Sequence, residues 1–400
     1  MQSSTSNNVI WNTIGSIVYL ACQWLTTVAV VRISSNYEYA GYLSLAMSYS
    51  NIFIPIALYK IRSYQVSDIN NQFSSGQYIG FRIVTIAVGF GIVFLYTIFT
   101  CRKEAIISVV CYCLYKVIEV LVDVFHGIDQ KGGNMIFCGV SMLLRGLLSL
   151  LTFCFVLKLT DSIPLSILSM CAVCVPVLLL DICWASKFDS VLPEFNLDAI
   201  GALFSSCLPA VVGVACCALV TSSSRQILAS ILGNSVLGIY SSVCSPAAIV
   251  QAGALNAYAP LLVVFAMADL EKTRKHFNQL LIKVAGVTVV IAFGCLLGCL
   301  LFGQWALELL FGSTIIRFSY LLYGAVISSL ATALIGVFSD LTIVRRSMSS
   351  NLAGNFIALL LVIPFSYLFI NSLGANGVSL AISLAYLIGC LVMLPSLIRK

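Results

Sequence analysis

Three ionisable residues, Lys116, Glu119 and Asp123, follow one another at steps of three and four inside an otherwise apolar stretch. That spacing puts them on one face of a helix. Lys116 lies nine residues before Phe125, where the apolar run ends, so it sits about 14 Å along a helix axis, near the middle of a bilayer about 30 Å thick. The next apolar run returns through a short joint centred near Gln130, which brings Arg145 to a similar depth. A charge there costs about 2.5 to 3.5 kcal/mol against lipid, so all four side chains must face protein or water. Two arrangements meet that demand. In one, Lys116 pairs with Glu119, and Arg145 with Glu119 or Asp123 across helices, as buried salt bridges. In the other the group lines a polar cavity, because an ion-paired core is no more stable than an apolar one and intramembrane ionisable groups mark transport paths.

The elements that must hold these residues are twelve long apolar stretches separated by short polar joints. Charged residues are only 9% of the chain, the hydrophobic set is 60% and the mean hydropathy is +1.04. A soluble domain carries about 25% charged residues, so the bilayer is the solvent here. Crossing it takes about 20 apolar residues per helix. The expected spans are Val9 to Val31, Tyr39 to Tyr59, Ile79 to Thr100, Ala105 to Phe125, Met135 to Leu157 and Ile163 to Trp184. The second six are Ala202 to Ile231, Val236 to Met267, Leu280 to Phe302, Phe318 to Phe338, Asn351 to Ile370 and Ala375 to Leu397. Continuous runs such as Ile282 to Leu301 exclude the alternating strands of a membrane β-barrel. The expectation is an all-α polytopic membrane protein of about twelve transmembrane helices, in two six-helix halves (1–190 and 191–400) around a central cavity.

Repeat and orientation follow from the joints. Tyr39-Ala40-Gly41-Tyr42 opens the second span and Val236-Leu237-Gly238-Ile239-Tyr240 the eighth, about half the chain apart, as a parallel repeat would have it. With the N-terminus inside, the inner joints and tail hold most of the Lys and Arg, including Lys60, Arg62, Arg82, Lys131, Lys272 and Arg345. Both termini are therefore expected in the cytoplasm. The formal charge of +6 then implies adhesion to anionic membrane lipids and no nucleic-acid partner, since no basic stripe with interleaved aromatics is present. Asp181 and Asp340 fall at inner helix ends and are expected to be solvated.

Other chemistries find little support. The sixteen cysteines lie almost all within spans, where they behave as small apolar residues, and the chain has only two histidines, His126 and His276. Cys171 and Cys174 have the spacing of a redox or metal pair, but packing is the expected role. The longest joint, Lys60 to Tyr78, is too short for a domain of its own. The first span is expected to be a retained helix, because Met1 to Asn8 carries no basic residue. No phosphate-cradling glycine loop and no nucleophile beside a base is visible, so no enzyme activity and no cofactor are expected. Pro55, Pro176, Pro209, Pro246, Pro260 and Pro364 fall within or near spans, where they permit kinks. Asn12, Gln23, Ser241, Ser242, Gln251 and Asn256 either line a lumen or bond between helices.

Several patches carry a resemblance. Phe125-His126-Gly127-Ile128-Asp129-Gln130-Lys131 is similar to the aromatic-x-Gly joint between helices four and five of the Wzx-type polysaccharide-unit flippases of bacteria, relatives of the MATE multidrug exporters. Leu208-Pro209 resembles that family's Leu-Pro in helix seven, Leu309-Leu310-Phe311-Gly312 its joint before helix ten, and Leu373 to Ala381 its Gly and Ala-rich opening of helix twelve. Where the family often has Asp-Arg late in helix seven, this chain has Ser224-Arg225. The resemblance implies a flippase in the bacterial cytoplasmic membrane. Its cargo would be an O-antigen or capsule repeat unit on undecaprenyl pyrophosphate, and the polysaccharide polymerase machinery would be a partner. Its anionic headgroup would be held by Arg32, Lys116, Arg145 and Arg225, with Glu119 or Asp123 available for proton or sodium coupling. The first span has no acidic residue, which moves any coupling role to the fourth. The alternative is a MATE-like multidrug exporter, which predicts a cavity dominated by acidic rather than basic groups.

Overall fold

The computed structural model describes residues 5–34, 36–68, 71–247, 290, 293–294, 296–298, 300–344 and 347–398. Helices follow in the order α1 (Thr5–Ile33), α2 (Tyr37–Leu58), α3 (Ile61–Ser67), α4 (Ser75–Thr100), α5 (Lys103–Lys131), α6 (Met135–Thr160), α7 (Ile163–Ala185), α8 (Leu197–Leu232) and α9 (Asn234–Cys244). After them come α10 (Leu300–Phe311), a short 3-10 turn (Ser313–Phe318), α11 (Leu321–Val344), α12 (Met348–Leu373) and α13 (Asn376–Ile398). Among the described residues ten helical stretches are long and apolar enough to cross a membrane, and none forms a strand. Most of the expected spans Val236 to Met267 and Leu280 to Phe302 lies outside the described residues, as do Gln251, Asn256, Pro260, Lys272, His276 and Arg345.

The outside of the bundle is apolar and much of its inside is polar, the pattern of a protein in lipid. Phe99, Leu151, Phe155 and Leu391 stand exposed, whereas Ser48, Ser141, Ser166 and Asn355 are buried. Two compact units make up the chain, Met1–Ala215 and Cys216–Lys400. In the first, α1 packs along α6 and α5 lies between α2 and α7. The α1–α6 contact is glycine to glycine: a Cβ on Gly139 would stand 2.2 Å from the Trp11 carbonyl oxygen, and one on Gly15 2.1 Å from that of Gly139. In the second unit α13 packs on α11 and α12, and the Tyr386 hydroxyl donates to the Cys217 carbonyl at 2.8 Å. Gly312 and Gly374, both from patches noted in the sequence, take positive φ where α10 and α12 end, a conformation that side chains resist.

Two joints differ from their expected form. The patch Phe125 to Lys131 is not a joint: α5 continues through it to Lys131, and the turn is Gly132 to Asn134. The joint after α2 contains the short helix α3, closed by Asp68, whose carboxylate accepts from the amides of Gln72 at 2.9 Å and Phe73 at 3.1 Å and from the Tyr78 hydroxyl at 2.9 Å. Burial opposes the charge on Asp68, but these three donors and Lys131 outweigh it and hold the carboxyl below the usual carboxylate range. With its folded pKa lowered, Asp68 stabilises the fold above the unfolded value of about 3.9, and that contribution fades as pH falls through the lower folded value. Asp68→Asn is therefore expected to lower the melting temperature at pH 7, with the gap to wild type closing under acid, as thermal unfolding in detergent at a series of pH values will read.

Candidate functional site

The intramembrane charges of the first unit fall into three groups along α5. The deepest contains Lys116, whose Nζ lies 2.6 Å from Glu119 Oε2 and 5.2 Å and 5.6 Å from the ring centroids of Tyr115 and Tyr112. Arg145, on α6, stacks its guanidinium 5.6 Å from the Tyr19 ring centroid. It is buried, yet makes no ion pair among the described residues, and its Nε finds no hydrogen-bond partner. Gln23 of α1 ties the aromatic residues together, donating to the hydroxyls of Tyr115 at 2.8 Å and Tyr19 at 3.0 Å. Its role is thus bonding between helices. The expected bridge of Arg145 to Glu119 or Asp123 does not form; α6 turns the guanidinium onto a tyrosine face instead.

The second group surrounds Asp123. Its carboxylate receives Arg82 at 2.7 Å and Arg62 at 3.2 Å, and Arg62 also donates to Gln130 Oε1 at 3.0 Å. Arg82 is fully buried, not a joint residue as its position in the sequence suggested. The reason lies at both ends of its surroundings. Ser74 and Gln77 form a capping box that starts α4 before Arg82, placing it two turns inside the helix. The end of α2, where Tyr59 and Lys60 turn left-handed, leaves the Ala57 carbonyl without a helical partner, and Arg82 and Thr85 both donate to it, at 2.9 and 2.8 Å. Beside this group opens a cavity of about 260 Å³ lined by Ile54, Pro55, Leu58, Lys60, Arg62, Asp123, Val211 and Val214.

The third group joins three helices. His126 Nε2 of α5 faces Asp181 Oδ1 of α7 at 3.5 Å, and Ser141 of α6 donates to Asp181 Oδ2 at 2.7 Å. Asp181, expected at a solvated helix end, is fully buried, because α5 and α6 both pack across its end of α7. Asp340 is exposed, as expected.

No protein-family model matches the chain. Over 384 residues, 93% of its length, it is 24% identical to a capsular polysaccharide biosynthesis protein of Staphylococcus aureus, CapF, and covers 94% of that protein. Among solved structures, an inward-facing multidrug resistance transporter of the MATE family, in the MOP superfamily, superposes with a TM-score of 0.75 at 12% identity, with 98% of each chain covered. The lipid II flippase MurJ, in an inward closed conformation, superposes with a TM-score of 0.72 at 13% identity, covering 97% of this chain and 88% of that one. The chain has the MATE-like transporter fold. The all-α polytopic architecture and the resemblance read from the sequence are both borne out.

Within this MATE-like fold the residues singled out from the sequence separate. Lys116, Glu119 and Arg145 come together, with Arg145 close enough to Glu119 to feel its charge. Asp123 belongs instead with Arg62 and Arg82. Arg32 is exposed in the last turn of α1, about 20 Å along the helix from Tyr19. Arg225 is half-buried in the second unit, near Tyr240 and Cys244 of α9, and the preceding Ser224 bonds Ser366 at 2.8 Å. Nothing in the sequence marks Arg62, His126 or Asp181 as site residues, and only the capping box before Arg82 signals its depth.

Proposed function

We propose that this protein is a flippase that moves an undecaprenyl-pyrophosphate-linked oligosaccharide of the capsule or O-antigen kind. By alternating access it would carry the unit from the cytoplasmic to the outer leaflet of a bacterial cytoplasmic membrane, with both termini in the cytoplasm. Kinship with a capsular polysaccharide biosynthesis protein and a fold shared with a lipid II flippase support the reading. The observation that carries it is Arg145, a buried cation without a carboxylate partner among the described residues. A guanidinium so placed offers its fork to phosphate oxygens bidentately. Lys116, in the same group on α5, is the second headgroup ligand. Glu119, with 29% of its side chain exposed, holds Lys116 until a proton or the incoming phosphate displaces it, which makes it, rather than the doubly paired Asp123, the coupling carboxylate. The polysaccharide polymerase machinery is the partner that receives the flipped unit.

The test is reconstitution into liposomes with an undecaprenyl-pyrophosphate oligosaccharide of matched glycan, scoring its appearance in the opposite leaflet with and without proton and sodium gradients. Movement above protein-free vesicles is expected. Because Arg145 makes no ion pair among the described residues, Arg145→Ala is expected to fold at near wild-type yield while transport per folded molecule falls at least about tenfold, the loss of one charged hydrogen bond of about 1.5 to 3 kcal/mol. Unchanged transport per molecule would remove Arg145 from the site. Efflux of a cationic dye without glycan movement would favour the multidrug-exporter alternative.

A further inference from the structure

The third group of charges contains a further carboxylate that neither ion pairs nor hydrogen bonds account for. Asp129 is fully buried three residues after His126 on α5, and neither of its carboxylate oxygens has a hydrogen-bond partner among the described residues. His126 Nε2 and Asp181 Oδ1, facing each other at 3.5 Å, are likewise without hydrogen bonds. The groups around them are Arg62 from α3, His126 on α5, Cys138, Ser141 and Arg145 from α6, and Asp181 from α7. Of the two cations, Arg62 is already engaged by Asp123 and Gln130, and Arg145 lies over Tyr19.

An ionised carboxylate with both oxygens unpaired and out of water is among the most costly groups a protein can bury, and such a group neutralises instead. Neutralisation requires a cation. Among the described residues no three His, Cys, Asp or Glu side chains stand close enough to share a metal ion, and the smallest cation needs only one lone pair. We propose that Asp129 is a proton-binding site, and that His126 and Asp181 are the neighbouring titratable groups that set its proton affinity. The proton moves from water onto a carboxylate oxygen of Asp129, forming one O–H bond and leaving the carboxyl neutral. Ser141 fixes the other Asp181 oxygen, so the carboxylate cannot turn away from the imidazole. The site differs from Glu119 and Asp123, each of which already holds a cation at 2.7 Å or closer, and it stands whatever the cargo is.

The test is infrared spectroscopy of the full-length purified protein in lipid nanodiscs across a pH series, with no transport substrate present. Wild type is expected to show a protonated-carboxyl C=O band at neutral pH that Asp129→Asn removes. Asp129→Asn is also expected to fold as wild type does, since the amide mimics the neutral acid. Asp181→Asn and His126→Gln are expected to shift the pH midpoint of the band by about one unit, a tenfold change in proton affinity. A wild-type spectrum without such a band, a band that persists in Asp129→Asn, an Asp129→Asn chain that fails to fold, or a midpoint unmoved by both neighbouring variants would each overturn the proposal. None of these outcomes bears on the flippase reading, which the liposome assay decides separately.

Discussion

Asp123→Ala is expected to abolish accumulation of folded protein, whereas Asp123→Ala combined with Arg82→Met is expected to recover much of it. The single change strips the fully buried Arg82 of the carboxylate at 2.7 Å and leaves one guanidinium bond, to the Ala57 carbonyl, to hold a charge away from water. Removing one partner of a buried pair costs about 3 to 5 kcal/mol, whereas replacing both by apolar groups is often close to neutral. Arg62, with 27% of its side chain exposed, lines the adjoining cavity and can turn into it, so the penalty belongs to Arg82. Size-exclusion profiles of fluorescently tagged variants in mild detergent, with thermal unfolding of whatever elutes as a single species, will read the difference. A stable, monodisperse Asp123→Ala protein would show that Arg82 does not depend on that carboxylate.

Gly139→Ala is expected to be almost as damaging, although it adds a single methyl group. The new Cβ would sit 2.2 Å from the Trp11 carbonyl oxygen, and the obstructing atom is helix backbone that cannot swing aside. The α1 and α6 axes must separate, which loosens the contact that sets Tyr19 against Arg145. A cost of about 3 kcal/mol, at the upper end of overpacking effects, is expected. Gly91→Ala supplies the control, because no described residue lies within 4 Å of its Cβ position and alanine is the better helix former; its stability should match or slightly exceed wild type. Thermal unfolding of the two variants side by side checks the claim, and equal melting temperatures would refute it.

The candidate site was legible wherever it depended on local geometry. Lys116 and Glu119 pair because they are three residues apart on one helix, and their spacing along the chain already contains that contact. The depth of Arg145 also followed from an antiparallel return through a short joint. Its partner did not, because a small rotation of α6 about its own axis decides between a carboxylate and the ring of Tyr19. Arg82 reads as a joint residue in the sequence because apolar runs mark where a helix becomes hydrophobic, not where its capping box starts. His126 and Asp129 read as part of a joint for the same reason at the other end of α5, and Asp181 reads as solvated because burial depends on neighbours from other helices.

The sequence by itself determined that this protein lives in a bilayer, that it is built of helices, and that charged groups are carried deep within them. Hydropathy and the 3.6-residue period act over distances of one or two turns, so composition and spacing suffice to express them. Only the tertiary structure decided which charges meet among the described residues: Asp123 with two arginines, Arg145 with a tyrosine, Asp181 with His126, Asp129 with none. Those meetings depend on how each helix is rotated against the next, and that rotation is set by contacts between residues far apart in the chain, such as Gly15 with Gly139, whose effect no local pattern records.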